Sequence, residues 1–286
     1  MYYHFSRYLP YHYGNVEKHK GNLMIISFAT HKGGVAKTTL TINVADALAR
    51  EGLDVLVVDL DPQANVTSLL YSAEESPGVP IEQVLGGSTS IAQAVIEQTN
   101  IEGVHLIGAS LKLANLERQL QSTPFASTSL LSHKLIPVVS VYDVIILDTP
   151  PALSFLTANA LAASDYVFSP LASGSKLSLV GADDLVAFIH QAKAANPRLT
   201  FGGAILTKHD ARKKVCRLVQ GAATEYYDRV LQSTMPATTD VDKGQIVNRT
   251  VLQLERDSNV SRAVVEIARE IMAITGLKSQ KKGDAA

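Results

Sequence analysis

Two lysines five residues apart, Lys32 and Lys37, bracket a glycine pair, Gly33 and Gly34, and are followed by Thr38 and Thr39. That combination suits an anion with several oxygens. Backbone N–H groups of a glycine loop converge on phosphate, the dipole of a following helix favours the negative charge, and a lysine adds a point charge. Lys37 fills the last role, and the Thr38 hydroxyl stands where a Mg²⁺ ligand is needed. Acids recur downstream: Asp59 and Asp61 in the run 54–65, and Asp148 closing Val144-Ile-Ile-Leu-Asp148. A carboxylate at the end of a buried strand beside a phosphate loop can hold the metal through water.

These side chains act together only if strands and helices gather them. Met24 to Phe28 reads as a buried strand, and a helical pattern (Leu40, Val44, Ala45, Leu48) starts at Thr38 and closes near Gly52. The run after Asp54 gives a second strand ending in acids. Ligands collect at the carboxyl ends of strands in open α/β sheets, which brings Asp59 and Asp61 near the phosphates. Further strands are expected over 104–107, 144–148, 166–170 and 203–207, with a helix over 177–195. Their alternation predicts an α/β fold: a doubly wound, mostly parallel sheet with flanking helices and right-handed crossovers. Residues 81–85 and 91–98 read as a surface excursion, and Leu111, Leu113, Leu116 and Leu120 as a packing helix. The last helix, 259–274, places Val260, Val264, Ile267 and Ile271 on one stripe.

The strict phosphate-loop pattern G-x-x-x-x-G-K-[ST] is not met, because its glycines fall on His31 and Ala36. The variant present, K-G-G-x-x-K-T-[ST] over Lys32 to Thr39, resembles the deviant Walker A box of the ParA/MinD family of P-loop NTPases. The resemblance implies an ATP–Mg²⁺ site made of Lys32, Gly33, Gly34, Val35, Ala36, Lys37, Thr38, Thr39 and Asp148, with Thr38 and Asp148 at the metal. It implies that Lys32 reaches the nucleotide of a partner subunit in an ATP-dependent sandwich homodimer. The string D-x-D-P-Q-x-N, Asp59 to Asn65, is similar to the family's switch I, where Asp61 would orient the attacking water and Asp59 would support the site from behind. Lys32, Lys37 and Asp61 are thus the implied catalytic set. Asp148-Thr-Pro-Pro151 resembles switch II, which senses the γ-phosphate, and Thr207 and Pro236 would border the nucleotide.

Residues 207–217 gather five basic side chains, Lys208, Arg212, Lys213, Lys214 and Arg217, against one acid. They could neutralise phosphates with salt-sensitive, sequence-independent affinity for double-stranded DNA. A solvated helix face is the plainer reading of such a run. Its opening resembles the family's L-T-x-x-D-A-R segment, which makes Arg212 the implied DNA contact. Further on the chain departs from the family. Where I-P-R-N-x-R is expected it has Met235-Pro-Ala-Thr-Thr-Asp240, so Ala237 and Asp240 replace the arginines, and Lys243, Arg249 or Arg256 are candidate substitutes.

A formal charge of −1 over 286 residues gives no global basic field, so any nucleic-acid contact must be local. One cysteine, Cys216, excludes a disulfide framework or a thiolate cluster within the chain. No apolar run approaches the roughly 18–20 residues that span a bilayer. Five of the ten tyrosines lie in residues 1–23 with His4, His12 and His19. That stretch reads as a poorly ordered leader or as an aromatic tail able to stack on single strands. An ATPase domain is expected over 24–276 and a flexible tail over 277–286. The resemblance is to the short ParA class. It implies a DNA-partition ATPase, cytoplasmic and nucleoid-associated, stimulated by a ParB-type centromere-binding partner and needing no membrane. The alternative is a MinD-like or other cargo-positioning ATPase acting on a membrane or protein scaffold.

Overall fold

Six apolar runs become strands: β1 (Met24–Phe28), β2 (Val55–Asp59), β3 (Val104–Ile107), β4 (Val144–Asp148), β5 (Tyr166–Ala172) and β6 (Thr200–Thr207). The computed structural model describes residues 23–71, 78–123 and 127–280; the leader expected over 1–23 lies outside them save for Leu23. The strands form one sheet in the order β3-β2-β4-β1-β5-β6. Each pairing in it is parallel, where a mostly parallel sheet was expected. From β1 the chain runs outward through β2 to β3, returns to β4, then crosses β1 to reach β5 and β6. The strand order therefore reverses beside β1 and β4, where doubly wound sheets open a crevice at their carboxyl ends.

The period of two along each strand divides the core between two faces. Ile26, Phe28, Val55, Val57 and Ile146 point to one face, beneath α1 (Lys37–Arg50) and the last helix (Asn259–Thr275). Leu40, Val44 and Leu48 of α1 meet Val260, Val264, Ile267 and Ile271 there, so the expected stripe of the last helix is its buried one. Ile25, Leu56, Val58, Ile145 and Leu147 point to the other face. That face is covered by short helices including Ile81–Leu85 and Ile91–Ala94. Ile81, Val84, Ile91 and Ala94 are buried, so this region is a piece of the core and not a surface excursion. Each fully buried Leu or Ile contributes roughly 1.5–3 kcal/mol.

Other departures have local causes. The helix expected over 177–195 divides at Gly181, whose φ of 85° suits glycine. A 3₁₀ turn, Lys176–Leu179, precedes it and the helix Ala182–Ala195 follows. A Cβ at Gly181 would also lie 2.8 Å from His31 Nδ1. Leu111 lies outside the helix Leu113–Ser122 and is exposed, although it was expected to pack. The start of the expected flexible tail is tied down: Gln280 N donates to Glu51 O at 2.9 Å and Leu277 packs on the core. Among the described residues no helix is long and apolar enough to cross a membrane.

Candidate functional site

The turn between β1 and α1 is held in a shape that ordinary backbone avoids. Gly34 has φ 74°, and Ala36, at the helix N-cap, has φ 62° and ψ 31°. A left-handed alanine costs on the order of 1 kcal/mol, so neighbouring contacts must hold it. Two come from the end of β6 and its following residue. Thr207 Oγ1 donates to Val35 O at 2.7 Å, and Lys208 Nζ donates to Gly34 O at 2.9 Å. The loop stays open on its outer side, since a Cβ at Gly34 would meet nothing within 4 Å. No side chain caps α1, which leaves its first-turn N–H groups available at the mouth.

Lys37 is 6% exposed and its Nζ lies 2.8 Å from Asp148 Oδ2. The pair is close but not aligned as a hydrogen bond, so the buried ammonium retains its donors. Asp148 is fully buried at the end of β4. Its Oδ2 accepts from Thr38 Oγ1 at 3.0 Å and its Oδ1 from Thr41 Oγ1 at 2.7 Å. An ammonium, a hydroxyl and a carboxylate thus converge beneath the loop; the two oxygen groups suit a hard cation such as Mg²⁺, which keeps several waters, and the ammonium suits an anion. No group of three or more His, Cys, Asp or Glu that could cage a metal occurs among the described residues. The ammonium with donors to give, the open loop and the oxygen ligands fit a phosphate with its metal.

β2 delivers the other acids. Its register sets Asp59 opposite Asp148. Asp59 accepts from Asp61 N and Thr67 N, each at 3.0 Å, and from Thr67 Oγ1 at 2.8 Å. Burial first, and then the charge of Asp148, push its carboxyl up to about 7. Asp61 is also buried. Burial raises its carboxyl, while the Gln63 N–H (2.9 Å) and Lys37 pull it back. Behind β4, Thr149 Oγ1 donates to Phe28 O at 2.9 Å and ties the Pro150-Pro151 stretch to β1.

The remaining expected site residues are spread between the back of the loop and the surface. Lys32 turns away from its own loop and donates from Nζ to Leu177 O at 2.7 Å. Thr207 is fully buried behind the loop, where it positions Val35. Pro236 is bridged to His209 and lines a cleft of about 520 Å³ with Ala237, Thr238, Asp240 and Asn259. Of the five basic residues, Lys208 leaves the cluster for the loop. Arg212, with a side chain 91% exposed, makes a two-pronged pair with Asp210 (3.0 and 3.1 Å), which holds that carboxyl down at about 2. Arg217 Nη1 donates to Ala211 O at 2.7 Å, while Lys213 and Lys214 stand exposed at the start of the helix Lys214–Tyr226. Asp240 pairs with Lys243 at 3.0 Å. Sequence reasoning missed Thr41, the second hydroxyl on Asp148. Its position one turn after Thr38 was the available signal.

A family model described as AAA domain matches residues 23–201. The chromosome partitioning protein ParA of Caulobacter vibrioides is 31% identical over 254 residues, covering 88% of this chain and 94% of that one. The chromosome-partitioning ATPase Soj of Thermus thermophilus is 32% identical over 256 residues, covering 87% and 95%. Among solved structures, a cobyrinic acid a,c-diamide synthase from Mycobacterium smegmatis with bound ADP and magnesium is 31% identical. It superposes with a TM-score of 0.75 over 86% of this chain and 93% of that one.

Proposed function

The chain belongs to the ParA/Soj family of partitioning ATPases, and from that premise we propose that it segregates DNA by an ATP-gated cycle of dimerisation on non-specific DNA. The observation that carries the reading is the convergence of Lys37 Nζ, Thr38 Oγ1 and Asp148 Oδ2 under an open glycine loop. Loop amides from Gly33 to Thr39 would cradle the phosphates of ATP, with Lys37 on the β- and γ-phosphates. Thr38 and Asp148 would hold Mg²⁺, which neutralises phosphate charge when bound.

Hydrolysis needs one water placed in line with the γ-phosphorus, so that its oxygen bonds there as the bond to the ADP oxygen breaks. Asp61 takes that orienting role, and burial, which raises its carboxyl, favours it as a proton acceptor. Lys32 lies outside its own cradle, as a residue that serves a partner's phosphates would. Closure of two copies would align Arg212, Lys213, Lys214 and Arg217 for DNA on the nucleoid, and a ParB-type partner would speed turnover.

The test is retention on random-sequence duplex DNA and on anionic liposomes, using Asp61→Ala to trap the ATP state at two salt concentrations. ATP-dependent DNA retention that falls with salt supports the proposal. Liposome retention without DNA binding replaces it with a membrane-based positioning ATPase.

A further inference from the structure

Helix α1 carries polar side chains on a face that is covered. Thr39, Asn43 and Asp46 recur at helical spacing, and each is buried. The covering segment satisfies them in turn. Gln245 Nε2 donates to Thr39 Oγ1 at 2.8 Å, Val251 N donates to Asn43 Oδ1 at 2.9 Å, and the Thr250 hydroxyl donates to Asp46 Oδ2. Asn43 Nδ2 closes the row on Thr39 O at 2.7 Å. Thr250 and Val251 are buried, but Gln245 belongs to the exposed end of the helix Thr239–Ile246, where its neighbour Ile246 is 82% exposed. A surface residue therefore bonds to a buried hydroxyl one position after Thr38.

The direction of that bond matters. An amide nitrogen only donates, so Thr39 Oγ1 accepts and keeps its own hydrogen to give. Among the described residues no acceptor takes it. Thr39 lies in the first turn of α1, whose donors face the loop's anion. We propose that Gln245 is a positioning residue for the nucleotide: by occupying the acceptor side of the Thr39 hydroxyl, it turns the hydroxyl hydrogen toward the bound phosphates. The inference rests on the nucleotide reading of the loop.

The experiment titrates a fluorescent ADP into the full chain and into Gln245→Ala, Gln245→Glu, Thr39→Val and the Thr39→Val/Gln245→Ala pair. Gln245→Ala is expected to weaken binding about fivefold, the worth of one hydrogen bond. Gln245→Glu weakens it further, because a carboxylate only accepts and captures the hydrogen meant for phosphate. In the Thr39→Val background Gln245→Ala adds nothing, since the hydroxyl it acts through is gone. Thermal midpoints without nucleotide stay close to wild type for both Gln245 variants, so a loss of affinity is not a loss of fold. Unchanged affinity in Gln245→Ala, or losses that simply add in the pair, overturns the proposal. If the unaltered chain binds no ADP, the nucleotide reading falls with it, and Lys37→Ala is the control that separates the cases.

Discussion

In the crevice at the ends of β1, β2 and β4, Lys37 and Asp148 are buried against each other, and two threonine hydroxyls complete the acid's partners. On the ledge after β6, Arg212 is almost fully exposed and directs its charge at Asp210, two residues away. Both regions pair a cation with a carboxylate, yet the physics differs. In the crevice, water is excluded and each charge depends on its partner, so removing one leaves the other stranded. On the ledge, water and salt screen the pair and holding two mobile side chains together offsets the gain. Preorganised chemistry belongs to the first region, and graded, salt-tuned attraction to the second.

The largest effect expected is from Lys37→Ala, which removes the buried cation. Nucleotide affinity should fall on the order of 100-fold in an equilibrium titration, and near-normal affinity would move the anion out of this loop. Asp61→Ala should slow turnover by roughly 100-fold or more while changing nucleotide affinity little; unaltered steady-state hydrolysis would remove Asp61 from the chemistry.

The ledge should respond in smaller steps and in both directions. Lys213→Ala combined with Lys214→Ala should weaken DNA retention and flatten its log–log salt dependence by about one unit for each phosphate that is no longer neutralised. Asp210→Ala should strengthen DNA retention by freeing Arg212, and a weakening there would mean that Asp210 shapes the ledge and does not mask it. A separate effect concerns pH. The Asp59 carboxyl is pushed up to about 7, so the folded chain holds that proton more tightly than the unfolded one does. Its stabilising contribution is complete below the ordinary carboxylate value of about 4 and is lost as pH rises through 7. Thermal midpoints of Asp59→Asn should therefore gain on wild type across that window, and a constant difference would contradict the sign.

What can be read in advance follows the range over which each interaction acts. Strands rich in Val and Ile, the glycine pair and the strand-end acids announce themselves within a few residues, and β1 and β4 begin and end where expected. Thr41 meets Asp148 across 107 positions, Lys208 meets Gly34 across 174, and Gln245 meets Thr39 across 206. No local pattern encodes the last two, and Thr41 is marked only by its place one turn after Thr38. Lys208 groups with its basic neighbours in the sequence because proximity along the chain is the only proximity visible there. The helices Ile81–Leu85 and Ile91–Ala94 are too short to display a period, which disguises their place in the core. Leu111 misleads in the opposite sense, as one apolar residue beyond the start of a stripe.

The strand order also dictates when the phosphate loop can come into being. β1 is flanked by β4 and β5, with Met24 beside Val144 and Ile26 beside Tyr166. A growing chain that has made the loop and α1 thus has neither neighbour for its central strand until roughly a hundred further residues have emerged, and closing such long spans is slow. The waiting strand exposes both edges meanwhile. Asp148, the acid that Lys37 requires, arrives with the strand that ends the wait. Pairing of β4 with β1 and the meeting of Asp148 with Lys37 are therefore a single event in the chain's synthesis.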